Sequence, residues 1–179
     1  MTPGRGEIST RRDLDGLQMV LLRQRWEQPD IDDLPGGEVY VAPHEDSAEG
    51  IAVVDRRMIR GTLVEELRLT FSGGKLVEID APNQQGADLL RELLLASTGD
   101  KDRIAEFAVG LNPGLTEPLG EIGLDEKIGG SVHIAVGMND NFGGRNRSNL
   151  PLDMVILRPT VWLDGSPVLT GGILEAVQE

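Results

Sequence analysis

The stretch LVEELRLTFSGGKLVEI, residues 63–79, decides the class of fold. Apolar and polar side chains alternate along residues 67–71, which is the period of a half-buried strand. Ser72-Gly73-Gly74-Lys75 is a signal for a tight turn, and a second apolar run follows it at residues 76–79. The stretch therefore predicts an antiparallel β-hairpin.

The segments around the hairpin extend this β pattern and add one clear helix. Leucines at helical spacing in GADLLRELLLAS predict an amphipathic helix over residues 86–97, and Asp100 is placed to cap a shorter helix that runs to Phe107. Short apolar runs predict strands at residues 39–42, 51–54, 131–137, 154–157, 160–163 and 168–174. The expected class is α+β, with a mostly antiparallel or mixed sheet and one main amphipathic helix.

The first 35 residues differ in composition from the rest of the chain. An apolar and basic run at residues 17–26 suits either a strand or a short helix, and Pro29, Pro35 and the Gly36-Gly37 pair then interrupt regular structure. We expect residues 1–35 to be an irregular N-terminal extension and residues 36–179 to be a single domain.

Composition excludes several classes of function. The 179 residues carry 17 Lys plus Arg against 30 Asp plus Glu, a net charge of −13, which argues against binding to nucleic acid or to an anionic membrane surface. The chain has no cysteine, so disulfides, thiolate metal sites and cysteine nucleophiles are excluded. No signal peptide pattern opens the chain and no apolar run is long enough to span a bilayer, so the expected location is the cytoplasm.

Two residues are placed where chemistry is plausible. His133 lies within the apolar run VHIAV, and strand alternation puts its side chain opposite Val132 and Ile134, facing a cleft or solvent. Glu106 is embedded in AEFAVG, and a buried carboxylate is costly unless it is paired or bound to a metal. The ordinary alternatives are a surface histidine or a buried histidine with its hydrogen bonds satisfied at position 133, and an exposed helix-end glutamate at position 106.

Other polar positions suit either a functional role or an ordinary exposed side chain. Glu38 and Asp153 stand at the beginnings of predicted strands, where exposed end residues are common. The His44-Glu45-Asp46 loop is either a cation site or a solvated cluster, and Asp125-Glu126-Lys127 suits a surface helical turn. Neither the Gly129-Gly130 nor the Gly143-Gly144 pair is followed by the Lys-Ser/Thr of a phosphate-binding loop.

Five segments in a fixed order resemble a known family. They are GEVYVAP (37–43), SAEG (47–50), AEFAVGLNP (105–113), LDEKIGGSVHIAVG (124–137) and LPLDMVILRPTVWLDG (150–165). They resemble the C-terminal, metal-site half of the thermophilic metalloprotease family, the aminopeptidase T and aminopeptidase S group with its leucyl aminopeptidase and 2,5-dihydroxypyridine dioxygenase relatives. The resemblance covers roughly residues 10–175, and its most specific part is the DEK…VHIAVG stretch.

The resemblance implies a two-metal site, most of whose ligands are retained. The family holds its metals with two glutamates, two histidines, a tyrosine and an aspartate. By matching motifs, the glutamates fall on Glu38 and Glu106 and the first histidine on His133. Glu38 or Glu106 would also serve as the general base.

Two positions depart from the family pattern. The tyrosine corresponds to Asp140, an oxygen ligand that can partly replace it, and the family's H-x-D reads Pro151-Leu152-Asp153. The aspartate is therefore kept, whereas the second histidine is lost to a residue with no donor atom. The remaining ligands suit one divalent ion, with Zn, Co or Mn favoured over Fe, or no ion at all.

Three functions follow from the resemblance. The first is a metal-dependent aminopeptidase-like hydrolase with an incomplete metal site, acting on a peptide or small molecule. The second is a non-catalytic descendant that binds such molecules or acts as a scaffold, and the third is a mononuclear Fe(II) ring-opening dioxygenase. Family members are about twice as long, so we also expect a homodimer, or a partner that supplies a separate N-terminal half.

Overall fold

The computed structural model describes residues 7–12, 15–21 and 35–175. Within these residues the chain forms twelve strands and two helices. The strands are β1 (Glu7–Arg12), β2 (Asp15–Val20), β3 (Glu38–Val41), β4 (Glu49–Ile59), β5 (Thr62–Ser72), β6 (Lys75–Asp80), β7 (Ile104–Gly110), β8 (Val132–Gly137), β9 (Pro151–Ile156), β10 (Thr160–Leu163), β11 (Ser166–Thr170) and β12 (Ile173–Leu174). The helices are α1 (Gln84–Ala96) and α2 (Ile122–Asp125).

The strands form two sheets, and every pairing between named strands is antiparallel. The large sheet has eight strands in the order β12-β11-β10-β1-β2-β4-β5-β6, and the small sheet has four in the order β3-β7-β8-β9. The expectation of mostly antiparallel pairing is confirmed, and the strands divide between two sheets.

The expectation that residues 1–35 are irregular is wrong for two segments. Strands β1 and β2 pair with each other inside the large sheet, and β1 also pairs with β10 from the C-terminal part of the chain. Glycines and prolines indicate where a strand stops, but they do not show whether a short segment finds a partner. The second half of the run at residues 17–26 lies outside the described residues.

The hairpin and the main helix are confirmed. Strands β5 and β6 pair across the turn at residues 72–75, and Gly73 and Gly74 both have positive φ there. Helix α1 begins after Asn83, whose side chain accepts a hydrogen bond from the Gln85 amide, as expected of an N-cap.

The short helix expected to run to Phe107 is wrong. Residues 104–110 form β7, one of the two inner strands of the small sheet, which pairs with both β3 and β8. The apolar residues of AEFAVG suit both structures, and pairing with two neighbouring strands decides between them.

The core explains which face of the small sheet is free for chemistry. Val132, Ile134 and Val136 of β8 and the alternating residues Leu152 and Met154 of β9 belong to the main hydrophobic cluster. Since successive side chains of a strand point to opposite faces, the residues between them point away from the core. No helix in the described part of the chain has the length and apolarity that crossing a bilayer requires.

Candidate metal centre

Each strand of the small sheet contributes one titratable side chain to the same place. Glu38 comes from β3, Glu106 from β7, His133 from β8 and Asp153 from β9. The register aligns them, because Ala135 pairs with both Glu106 and Asp153 and lies two residues from His133 on the same face. Residues up to 115 positions apart in sequence therefore meet because their strands are neighbours.

His133 lies at the centre of this cluster and is buried. Its Nε2 atom is 3.1 Å from Oε1 of Glu106 and 3.7 Å from Oε2 of Glu38, and its side chain is 2% exposed. Strand alternation left a cleft or solvent as the surroundings of His133, and in the structure it lines a cavity of about 280 Å³ together with both glutamates and Asp153.

A fourth carboxylate and a lysine complete the cluster. Glu126 and Lys127 follow α2, and Nζ of Lys127 lies 2.7 Å from Oε1 of Glu126 and 3.0 Å from Oε1 of Glu38. The Lys127 side chain is 1% exposed. The interpretation of residues 125–127 as a surface turn is therefore wrong for Lys127, whose charge is buried between two carboxylates.

A second cation approaches from the large sheet. Arg57 on β4 is attracted electrostatically by Asp153 and Glu126, and this attraction opposes the lowering of its pKa by burial. Its Nε atom is buried and has no hydrogen-bond partner among the described residues. The carboxylate cluster is thus flanked by two basic side chains, Lys127 from the segment between α2 and β8 and Arg57 from the large sheet.

Aromatic and small side chains form the rest of the cavity wall. Tyr40 and Phe142 meet edge to face with their ring centroids 5.5 Å apart, and both line the cavity. Pro151, at the position that the resemblance assigns to a histidine, also lines it. The cavity therefore combines a charged floor with a partly apolar wall, as is typical of small-molecule sites.

The loop that carries Phe142 is held by two buried asparagines. Asn139 donates through Nδ2 to the carbonyl of Ala105 and accepts through Oδ1 from the amide of Asn146. Asn146 in turn donates to the carbonyl of Ile104. These bonds tie the loop to the beginning of β7, close to Glu106.

Burial and neighbouring charges shift the pKa values of the cluster. Burial, with the charge of Glu106 acting in the same direction, raises the pKa of Asp153 to about 6. Burial also raises the pKa of Glu38, although the hydrogen bond from Lys127 opposes it. For His133, burial acts to lower the pKa, but the hydrogen bond to Glu106 and the surrounding carboxylates outweigh it, so that the pKa is raised. Shifts of this kind in a cleft are typical of functional sites.

The donor set fits a divalent cation. Two groups of three side chains each bring one ligand atom to within 4.8 Å of the others: Glu38, Glu126 and His133 in one group, and Glu106, His133 and Asp153 in the other. In the described part of the chain, Oε2 of Glu38 and Nδ1 of His133 are buried without a hydrogen-bond partner. A buried carboxylate oxygen without a partner is costly, and a metal ion would remove that cost.

Three other predicted positions do not join the cluster. Asp140 belongs to neither group, and its carboxylate lies 3.5 Å from Nε of Arg147 instead. In the loop at residues 44–46, Glu45 is buried and accepts hydrogen bonds from the amide and the guanidinium of Arg145. These bonds give Glu45 a structural role. His44 is exposed and lies outside both groups.

Sequence reasoning missed Glu126, Lys127 and Arg57. Helix α2 has only four residues, too few to give a helical periodicity that would place the adjoining Lys127 inside. Arg57 stands in the polar-looking stretch DRRM, where a solvated arginine is the ordinary expectation. One signal was available, since the three residues DEK lie in the segment that carries the most specific resemblance.

Comparison with known proteins agrees with this architecture. The family model for thermophilic metalloprotease (M29) matches residues 23–158. Aminopeptidase T from Thermus aquaticus is 30% identical over 151 residues, covering 74% of this chain and 36% of that protein. Wild-type AmpT from Thermus thermophilus superposes with a TM-score of 0.76 at 23% identity, covering 96% of this chain and 50% of that one.

A second solved structure has the same fold. 2,5-Dihydroxypyridine dioxygenase from Pseudomonas putida KT2440 matches with a TM-score of 0.76 at 20% identity, covering 98% of this chain and 56% of that one. The chain therefore spans about half the length of these two structures and about a third of the Thermus aquaticus relative. Because the family model extends over residues 23–158, this chain belongs to the thermophilic metalloprotease (M29) family.

Proposed function

We propose that this chain carries the metal centre of a metal-dependent, aminopeptidase-like hydrolase. The observation that supports it best is the convergence of His133 with carboxylates from the other three strands of the small sheet, in a cavity of about 280 Å³. Membership of a metalloprotease family and the likeness to aminopeptidase T support the same reaction class.

Glu106, His133 and Asp153 are the residues that would hold a divalent ion such as Zn, Co or Mn, because carboxylate and imidazole donors suit these metals. When bound, such an ion supplies Lewis acidity toward water and toward a peptide carbonyl. The remaining chemistry is assigned to the side chains of this chain.

Glu38 is the better candidate of the two glutamates for the general base. Oε1 of Glu106 is held by His133, whereas Oε2 of Glu38 is buried and has no hydrogen-bond partner among the described residues. Its raised pKa makes Glu38 a stronger base than an exposed glutamate. In this proposal Glu38 accepts a proton from the attacking water and delivers it to the leaving amine, while Lys127 holds its other oxygen.

The excess of negative charge favours a substrate with a free amino terminus. Four carboxylates converge on the cavity against the two flanking cations, Lys127 and Arg57. A protonated amine would be attracted into such a cavity, because a cleft of low dielectric strengthens the field of its charges. The wall formed by Tyr40 and Phe142 offers an apolar surface to the side chain beside that amine.

A non-catalytic binding protein is the main alternative. Pro151 removes one ligand that the family resemblance assigns, and Asp140 does not reach the cluster. A site of this kind would keep the cavity and lose turnover. Iron-dependent ring opening has less support, because a 2-His-1-carboxylate triad needs two histidines and the two ligand groups of the described residues share only His133.

Metal analysis and an amidase assay test the proposal together. The protein is purified with and without added Co or Zn, its metal content is measured by mass spectrometry, and hydrolysis of Leu-p-nitroanilide is followed. Metal-dependent turnover supports the hydrolase. Bound metal without turnover on any aminoacyl anilide, under any divalent ion, would favour the binding protein instead.

The chain offers a matched control, since it has two histidines. His133→Ala should abolish metal binding and turnover. His44→Ala should leave both unchanged, because His44 is exposed and lies outside both ligand groups. An equal loss in the two variants would contradict the assignment of the site.

A further inference from the structure

The two ligand groups of the metal centre are not equivalent. They share His133, but Glu38 and Glu126 belong to one group and Glu106 and Asp153 to the other. A site for two ions would use both groups. The two groups differ in whether a basic side chain of the protein already lies between the ligands.

Lys127 occupies the first group. Its ammonium donates to Oε1 of Glu38 and to Oε1 of Glu126, so one oxygen of each of the two carboxylates is already bound to a cation. The lysine is buried, with its side chain 1% exposed, and therefore cannot swing into solvent without opening the surrounding structure. A divalent ion bound by the same two carboxylates would lie next to this positive charge and be repelled by it.

The second group contains no such cation. Glu106 and Asp153 have no lysine or arginine within salt-bridge distance among the described residues, and their neighbour in the cluster is the imidazole of His133. Arg57 lies close enough to attract Asp153 but has no hydrogen bond to it in the part of the chain that the structure describes. The contact within this group is the one between Nε2 of His133 and Oε1 of Glu106, and among the described residues no fixed positive charge of a lysine or arginine lies between its ligands.

The balance of charge leads to the same result. Glu38, Glu106, Glu126 and Asp153 carry four negative charges when ionised, Lys127 supplies one fixed positive charge among them, and Arg57 supplies a second, which Asp125 also attracts. At least two negative charges remain, and one divalent ion neutralises two of them. A second divalent ion would leave the buried cluster with an excess of positive charge, which is unfavourable where the dielectric constant is low.

We propose that Lys127 is a resident cation that takes the place of a second metal ion, so that the centre binds one divalent ion, at Glu106, His133 and Asp153. The inference rests on the proposed metal-dependent function. Lys127 is thereby a positioning residue, which holds Glu38 and Glu126 in the absence of a second ion. The loss of a histidine at position 151 is consistent with a centre that needs ligands for only one ion.

The number of ions bound per chain tests the single-ion proposal directly and does not depend on activity. The full chain is freed of metal with a chelator and titrated with Co²⁺, and binding is followed by calorimetry and by the visible spectrum of Co²⁺. Native mass spectrometry counts the ions bound per chain. We expect saturation at one ion per chain, and saturation at two would overturn the inference.

Two isosteric variants test which group takes the ion. Glu106→Gln should weaken Co²⁺ binding by at least about tenfold, because it removes a ligand. Glu126→Gln should change the affinity less than about threefold, since Lys127 holds that carboxylate outside the metal site. Equal weakening in the two variants, or a larger effect of Glu126→Gln, would overturn the assignment.

Lys127→Met tests the lysine itself and removes the charge while keeping the length of the side chain. The variant should bind a second Co²⁺ ion, with lower affinity than the first. Saturation at one ion in a folded Lys127→Met protein would overturn the role of Lys127. If this variant does not fold, the stoichiometry of the natural chain and the pair of glutamine variants still decide the question.

The combined outcomes distinguish a failure of the single-ion proposal from a failure of the proposed hydrolase function. One ion per chain without turnover of Leu-p-nitroanilide would overturn the hydrolase and support the single-ion centre. Two ions with turnover would do the reverse. Failure to bind any divalent ion would overturn both.

Discussion

The ammonium of Lys127 lies 3.0 Å from Oε1 of Glu38, although the two residues are 89 positions apart in sequence. This buried ion pair joins β3 to the segment that precedes β8, at the centre of the cluster. Buried charges are tolerated when each is paired and hydrogen-bonded, and Lys127 meets that condition by also binding Glu126. Part of the negative charge of the candidate metal centre is therefore neutralised by the protein itself.

Because of this internal neutralisation, the fold should survive removal of the metal. We expect excess chelator to lower the melting temperature by roughly 5–10 °C, which corresponds to an ion present at about a hundred times its dissociation constant. Unfolding should remain cooperative in calorimetry, since the hydrophobic core does not depend on the ion. His133→Ala should show no shift with chelator, and loss of a cooperative transition in metal-free natural protein would contradict the expectation.

The stability of the metal-free protein should fall as the pH rises from about 4 to 6. The pKa of Asp153 is raised from its ordinary value of 3.8 to about 6, so the folded state holds a proton that the unfolded state has already released. The resulting stabilisation, at most about 3 kcal/mol, is fully present below about pH 4 and is lost as the pH rises through about 6. Urea unfolding at several pH values in chelator measures it.

Asp153→Asn is the control for this pH dependence. The amide does not titrate, so the stability of the variant relative to that of the natural protein should rise over the same pH interval. A difference that is constant between pH 4 and pH 6.5 would mean that Asp153 does not titrate as described.

Introducing a histidine at position 151 should strengthen the candidate metal centre. Pro151 lies two residues before Asp153 on β9, hence on the same face of the strand, and it lines the cavity. β9 is an edge strand, so a residue with an amide can replace proline there without displacing a neighbouring strand. We expect Pro151→His to raise Co²⁺ affinity by roughly tenfold or more. Pro151→Ala separates the new imidazole from the mere removal of the ring, and equal affinities in the two variants would argue against the prediction.

The loop beside the cavity should depend on Asn139. Asn139→Ala removes two buried hydrogen bonds, one to the carbonyl of Ala105 and one from the amide of Asn146. We expect a loss of about 2–4 kcal/mol in the free energy of unfolding, measured in urea. Asn141→Ala, on the same loop but exposed, should change it by less than about 0.5 kcal/mol. Similar values for the two variants would show that the buried bonds do not stabilise the loop.

Helix α1 provides a matched test of core packing. Leu90 is fully buried whereas Leu95 is 78% exposed on the same helix. Leu90→Ala should cost about 2–5 kcal/mol because it leaves a cavity, and Leu95→Ala should stay within about 0.5 kcal/mol. Calorimetric melting of the two variants measures the contrast. A cost for Leu95→Ala near that of Leu90→Ala would indicate that this exposed face is covered in solution.

Local patterns were sufficient for the elements whose residues contact their neighbours in sequence. The alternation around the Gly73-Gly74 turn predicted the β5–β6 hairpin, and the leucine spacing predicted α1. The same patterns failed where a partner is distant. Residues 104–110 are a strand because β3 and β8 flank them, and residues 7–12 are a strand because β10 returns to pair with them.

The residues of the candidate site also include some that the sequence predicted and some that only the structure shows. The family motifs together with strand alternation placed Glu38, Glu106, His133 and Asp153 as candidates, and the structure brings all four into one cavity. Asp140, assigned by position alone, is directed toward Arg147 instead. The burial of Lys127 and the approach of Arg57 depend on how segments distant in sequence pack, which no local pattern reports.

By itself, therefore, the sequence determined the mostly antiparallel β pattern, the hairpin, the main helix and the family, and it predicted four of the residues that line the candidate metal centre. These features follow from side-chain periodicity and from short motifs, which act over a few residues. Only the tertiary structure decided that four neighbouring strands present these residues on one face, and that a lysine and an arginine share the cluster. Those relationships depend on strand register and on burial, because charges interact strongly only when long-range packing excludes water from between them.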